Sequence, residues 1–92
     1  MHKSKTQNIK KVTKILTDIL KKNNRYFKKE KIPTSKPLHQ LGYIDSFDIM
    51  NLIEIVQKEF AIKFKNDELN INKISNLEKF SKIIIKKLNS RN

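Results

Sequence analysis

The chain has 92 residues, no cysteine, and 21 lysine and arginine against nine aspartate and glutamate side chains, a formal net charge of +12. That length suits a single domain over residues 1–92 that buries roughly 60% of its unfolded surface, which leaves no room for a deep catalytic cavity beside the core. Disulfides and thiolate metal sites are excluded, no apolar run approaches membrane-spanning length, and no apolar signal core follows the basic start, so a cytoplasmic chain is expected.

Residues 1–8 are polar and expected to be flexible. Ile9, Val12, Ile15, Leu16, Ile19 and Leu20 then recur at helical spacing, which predicts a first helix over about 9–24 with one apolar face. Thr6 or Asn8 would cap it, and Asn23-Asn24 would end it. Its outer face carries Lys10, Lys11, Lys14, Lys21 and Lys22.

A long connection follows over residues 25–45, where Pro33 and Pro37 break any helical pattern. Tyr26, Phe27, Ile32, Leu38, Leu41 and Ile44 are spaced so as to pin this loop over the helices. Gly42, the only glycine, predicts a turn with positive φ. His2 and His39, the only histidines, read as solvent residues rather than as a base or a metal ligand.

The second helix is predicted over 46–60, because Ile49, Leu52, Ile53, Val56 and Phe60 share one face. Asp45 or Ser46 can cap it. Phe47 and Met50 fall off the buried stripe and form a small apolar patch just beyond the serine. Asp45, Asp48, Glu54 and Glu59 against Lys58 make residues 45–59 acidic within a strongly basic chain. Acids in a first helical turn suit the macrodipole, which covers Asp45 and Asp48 but not Glu54 and Glu59.

Beyond Phe60, a linker with Ile62 or Phe64 tucked inward leads to a short third helix over about 67–71, with Ile71 and Ile74 as further anchors. Ser75-Asn76-Leu77-Glu78 reads as a capping box that opens the last helix, about 76–89. Leu77, Phe80, Ile84 and Leu88 would be its core residues, aided by Ile83 and Ile85. No segment alternates as a strand would. The fold class is all-α, a four-helix bundle with a long loop between helices 1 and 2 and a short third helix.

The run Leu41-Gly42-Tyr43-Ile44-Asp45-Ser46-Phe47-Asp48-Ile49-Met50 resembles the prosthetic-group site of acyl carrier proteins. The spacing to Phe60-Ala61-Ile62-Lys63-Phe64 and to Asp67-Glu68-Leu69 fits the same family, and the resemblance spans about residues 38–88. It implies that Ser46 carries 4′-phosphopantetheine, donated by coenzyme A, as a phosphodiester, with acyl or aminoacyl groups held as thioesters on the terminal thiol. It places Asp45 beside the modified serine, near the magnesium ion of the transfer complex. It makes a phosphopantetheinyl transferase and acyl- or aminoacyl-loading and transferring enzymes the partners. Phe47, Asp48, Met50, Glu54 and Glu59 are the candidate partner contacts, and a monomer is expected. The Ile-Asp-Ser-Phe form, one residue longer after the glycine than the Gly-Ala-Asp-Ser-Leu form of fatty-acid carriers, is closer to free-standing carriers of D-alanylation or of specialised acyl and aminoacyl pathways.

The chain is not expected to be an enzyme. Ser46 has no sequence-evident base to activate it, and Asp45/Asp48 and Asp67-Glu68 read as surface acid pairs rather than metal sites. Its basicity departs from the usual acidity of that family. Residues 1–36 hold twelve basic and two acidic side chains, which raises the alternative of a basic helical module for nucleic acid or an anionic membrane surface. There is no RNA-binding signature and no aromatic stacking cluster, so a solvated basic face is the plainer account.

Overall fold

The computed structural model describes residues 8–23, 32–42 and 44–90. Among these there are four α-helices and no strand: α1 (Ile9–Asn23), α2 (Ser46–Phe60), α3 (Ile71–Ile74) and α4 (Leu77–Asn89), with a 3-10 turn at Asn66–Glu68 before α3. No helix among the described residues is long and apolar enough to cross a membrane. Residue 24, the flexible start assigned to 1–8 apart from Asn8, and the anchors Tyr26 and Phe27 lie outside the described residues.

α1 forms where the apolar spacing placed it, and the Asn8 side chain accepts from the Lys11 amide at 2.9 Å to cap it. Val12, Leu16 and Leu20 face inward, and Ile15 and Ile19 are half-buried. Val12, Leu16 and Leu20, with Ile19 packed against them, meet Leu52 and Val56 of α2 and Leu77, Phe80 and Ile84 of α4 in one hydrophobic core. The hollow left between α1 and α2 has a volume of about 10 Å³, no more than one water. α1 packs most extensively on α4. The two run antiparallel, since Ile9 lies by Ser90 and Thr13 meets Ser81. α2 runs antiparallel to α1, with Asp48 beside Asn23 at one end and Gln57 and Ala61 near Lys87 and Ser90 at the other.

The long connection is ordered where it is described because its backbone is hydrogen-bonded to the α3–α4 junction. Leu38 N donates to Ser75 O at 3.0 Å and Glu78 N donates to Thr34 O at 2.9 Å. Gln40 Nε2 donates to Asn72 Oδ1 at 3.1 Å. Ile32, Leu38 and Ile44 enter the core, and Gly42 takes φ 81°. Leu41 does not act as an anchor. The tight turn from Pro37 to Gly42 leaves it 47% exposed. The same turn lays His39 half-buried against the protein, so it is not the solvent residue expected.

Two expectations for the C-terminal half need correction. The third helix is not one segment over 67–71 but a 3-10 turn at 66–68 followed by α3 at 71–74. Glu68 folds back to accept from the Lys65 amide at 2.6 Å, which closes the first turn. Asn70 then starts a new helix by accepting from the amides of Asn72 and Lys73. Nor does Ser75 cap α4. Asn76 does, accepting from Lys79 N at 3.1 Å, while Ser75 is fully buried and Glu78 accepts from the Thr34 hydroxyl at 3.0 Å.

Ala61, in the left-handed region at φ 55°, ends α2. Gln57 stabilises this turn, because its carbonyl accepts from Ile62 N and its side chain from Phe64 N at 3.0 Å. Phe64 thereby meets Phe80, ring centroids 5.6 Å apart. Ile62 is buried, so both residues expected to tuck inward do so in part or in full.

One polar contact fixes how α1 sits on α4. The Ser81 hydroxyl donates to Leu77 O at 2.8 Å, so the Thr13 hydroxyl, 2.8 Å from Ser81 Oγ in the buried interface, is the donor to it. Ser81→Ala strips Thr13 of its acceptor and is expected to destabilise the fold by about 1–3 kcal/mol. Pairing it with Thr13→Val removes both polar partners and is expected to recover much of that loss. Urea unfolding of the two single variants and the double variant measures the coupling; strict additivity would show that the contact does no work.

Candidate functional site

The geometry of the corner at Ser46 follows from how α2 begins. Asp45 is extended, at φ −114° and ψ −175°, and is the N-cap. Its Oδ1 accepts from Asp48 N at 2.9 Å, and Asp48 Oδ2 accepts from Asp45 N at 3.1 Å. This reciprocal box satisfies two backbone donors that the helix itself cannot. Both of its members are acids, which the positive end of the helix dipole favours. The hydrogen bond from the Asp48 amide is the chief reason that the Asp45 carboxyl is held below its ordinary value of 3.8.

Because Asp45 is the cap, Ser46 is released from that duty. It is the first residue of α2 and is exposed, and no hydrogen bond among the described residues engages its hydroxyl. The sequence left open whether Asp45 or Ser46 caps; the distinction matters, since a capping serine would have its oxygen turned onto the backbone.

The structure sorts the remaining candidates by helical phase. Ile49, Leu52 and Val56 are buried. At about 100° per residue, Phe47, Met50 and Glu54 fall within ~60° of one another on the side away from that stripe. Phe47 is 77% and Met50 68% exposed, and Glu54 is exposed. These three flank Ser46 on one outward face. Asp48 and Glu59 sit elsewhere: Asp48 is half-buried toward α1 with its carboxylate committed to the box, and Glu59 is exposed near the far end of α2. Leu41, exposed five residues before Ser46, adds an apolar side chain that its spacing suggests as an anchor of the loop. Its apolar character alone gave no hint of exposure; only the backbone of the Pro37–Gly42 turn does.

Among the described residues no three His, Asp or Glu side chains gather as metal ligands. The corner therefore offers an unengaged primary hydroxyl at the positive end of a 15-residue helix, bordered by two carboxylates. A phosphodiester on that hydroxyl would lie by the first helical turn, and a hard cation could bridge its oxygens to Asp45.

The family model described as "Phosphopantetheine attachment site" matches residues 10–81. No curated protein matches the chain, and no solved structure does.

The cap can be tested through acid. Because folding lowers the Asp45 pKa, the stability it supplies is complete above its unfolded value and is lost as pH falls through the folded one. Asp45→Asn keeps a capping oxygen at every pH. On acidification from about pH 5 to about pH 2, the melting temperature of the unaltered protein is expected to fall further than that of Asp45→Asn. Parallel falls would mean that the box contributes nothing.

Proposed function

The chain belongs to the phosphopantetheine-attachment family, and from that premise we propose that Ser46 is its attachment point and that the cargo is an acyl or aminoacyl group of a specialised pathway. Members of the family are carriers of covalently held 4′-phosphopantetheine rather than catalysts. The observation that supports the assignment to Ser46 is its exposed hydroxyl, left unbonded by a neighbour that does the capping.

Loading is a displacement at phosphorus. Ser46 Oγ would form the new P–O bond to the phosphate that joins pantetheine to the nucleotide in coenzyme A. The pyrophosphate bond breaks, 3′,5′-ADP leaves, and the serine proton passes to a base of the transferase. The prosthetic group, once attached, supplies a thiol on a flexible arm for thioester chemistry.

The chain's own residues do the rest. The capping box keeps the serine at the tip of a rigid helix. Asp45 stands where it can share a divalent cation with the phosphate. Phe47 and Met50 offer apolar contact and Glu54 an acidic one on the face beside Ser46, while Asp48 and Glu59 lie off that face. Encounters with a transferase and with acyl- or aminoacyl-loading enzymes are brief, because one carrier serves several partners in turn. The Ile-Asp-Ser-Phe form supports a free-standing carrier of the D-alanyl or specialised acyl type.

Incubation with coenzyme A and a broad-specificity phosphopantetheinyl transferase is expected to add one phosphopantetheinyl mass to the protein and none to Ser46→Ala. Addition to Ser46→Ala would move the site elsewhere. Phe47→Ala and Glu54→Lys are expected to slow that loading roughly tenfold each, the scale of a contact worth a little over 1 kcal/mol, with the circular dichroism of the helices unchanged. Unaltered rates would remove the outward face of α2 from partner recognition.

A further inference from the structure

The lysines that the sequence places in two separate helices become one surface when α1 and α4 pack. Lys10, Lys14 and Lys21 of α1 line one shallow hollow, and Lys82 and Lys86 of α4 line another. Ile9 borders both, so the two hollows adjoin at the start of α1. Asp18 neutralises Lys14 at 3.2 Å, and Glu78, which accepts from the Thr34 hydroxyl, keeps its charge, so these five lysines outnumber the two carboxylates that border them. Lys10, Lys21, Lys82 and Lys86 have no acidic partner within ion-pair distance among the described residues.

From this we infer that the outer face of the α1–α4 layer is a docking surface for an anionic lipid bilayer. Three features favour a bilayer over a nucleic acid. First, among the described residues its cations are all lysines, compact point charges without the planar fork that reads phosphate and base edges in pairs. Second, the described residues that line it include no aromatic platform on which a base could stack. Third, it mixes cations with Ile9, 38% exposed, and the half-buried Ile85, a pairing that suits the boundary between headgroups and acyl chains.

Orientation gives the surface a purpose. The buried stripe of α2 packs into the core it shares with α1 and α4, so the outward face with Phe47, Met50 and Glu54 looks away from the lysine face. A negative bilayer attracts one side and repels the other. Ser46 would then face solution while the carrier is held at the membrane. This last point rests on the assignment of Ser46, whereas the docking does not.

The full-length protein is mixed with vesicles of phosphatidylcholine containing phosphatidylglycerol and, separately, of phosphatidylcholine alone, and bound protein is measured by flotation as salt is raised. Binding is expected only to the anionic vesicles and is expected to weaken as screening shortens the reach of the charges. Replacing Lys10, Lys82 and Lys86 with Gln is expected to weaken it about a hundredfold, at the usual contribution of a lysine near an anionic surface. Replacing Lys58, Lys63 and Lys65 with Gln, an equal loss of charge on α2 and the segment that follows it, is expected to cost far less. Ser46→Ala is expected to bind as the unaltered protein does, which keeps this result separate from phosphopantetheinylation. No binding at low salt, equal loss from the two triple variants, or tighter binding to duplex DNA than to the anionic vesicles would each overturn the inference.

Discussion

Everything useful about the corner at Ser46 depends on which side chain satisfies the first amides of α2. A helix start exposes backbone donors that need partners, and short oxygen-bearing side chains compete to supply them. Here the competition goes to Asp45, reinforced by Asp48 in return. A serine that won it would have its oxygen folded against the backbone and shielded from any enzyme. The exchange of two hydrogen bonds between two acids therefore separates the structural duty of the helix start from its chemical one. It also fixes the direction in which the first turn points, so the exposed hydroxyl rides on something that does not fray.

That rigidity is borrowed from the rest of the chain. A 15-residue helix with one apolar stripe is marginal alone; α1 and α4 supply the surface it buries against. The α1–α4 pair is in turn fixed by a contact that apolar packing cannot provide, the buried relay from Thr13 through Ser81 to Leu77 O. Hydrophobic faces tolerate sliding, whereas a hydroxyl buried without its acceptor is penalised, so the relay selects one register. The connection before α2 follows the same logic. Its backbone pairs with Ser75 and Glu78, and its three buried side chains anchor it.

The apolar periodicity made the long helices legible. Ile49, Leu52 and Val56, or Val12, Leu16 and Leu20, can share a face in only one kind of secondary structure, and the limits of α2 follow from its caps. The hidden features were those set by competition between neighbours of similar chemistry. Ser75 and Asn76 both suit an N-cap, but Ser75 is already the C-cap of α3, its N–H donating to Ile71 O, which leaves the start of α4 to Asn76. Leu41 and Leu38 are the same residue type three positions apart, yet the turn at Pro37 buries one and exposes the other. Ala61 adopts a left-handed conformation that a reader expects of glycine, held there by the backbone and side chain of Gln57. At the candidate site the exposed Phe47 and Met50 could be read from helical phase. The commitment of Asp48 to the cap could not, because an acid three residues into a helix serves equally well as a cap or as a free surface charge.

Net charge conceals the polarity of this molecule. At +12 the chain looks uniformly cationic, yet the helices sort it: α1 and α4 hold nine of the fourteen lysines among the described residues and two acids, while α2 holds three acids and one lysine. In physiological salt a charge is felt over roughly 8 Å, less than the ~20 Å along a helix of this length. Around Ser46 the nearest charges along the chain are the carboxylates of Asp45 and Asp48, and farther along the outward face Glu54 is followed one turn on by the exposed Lys58. A strongly basic chain therefore keeps an acidic helix start with a charge-balanced face beside it, and apolar Phe47 and Met50 set that face apart from the lysine-rich layer of α1 and α4.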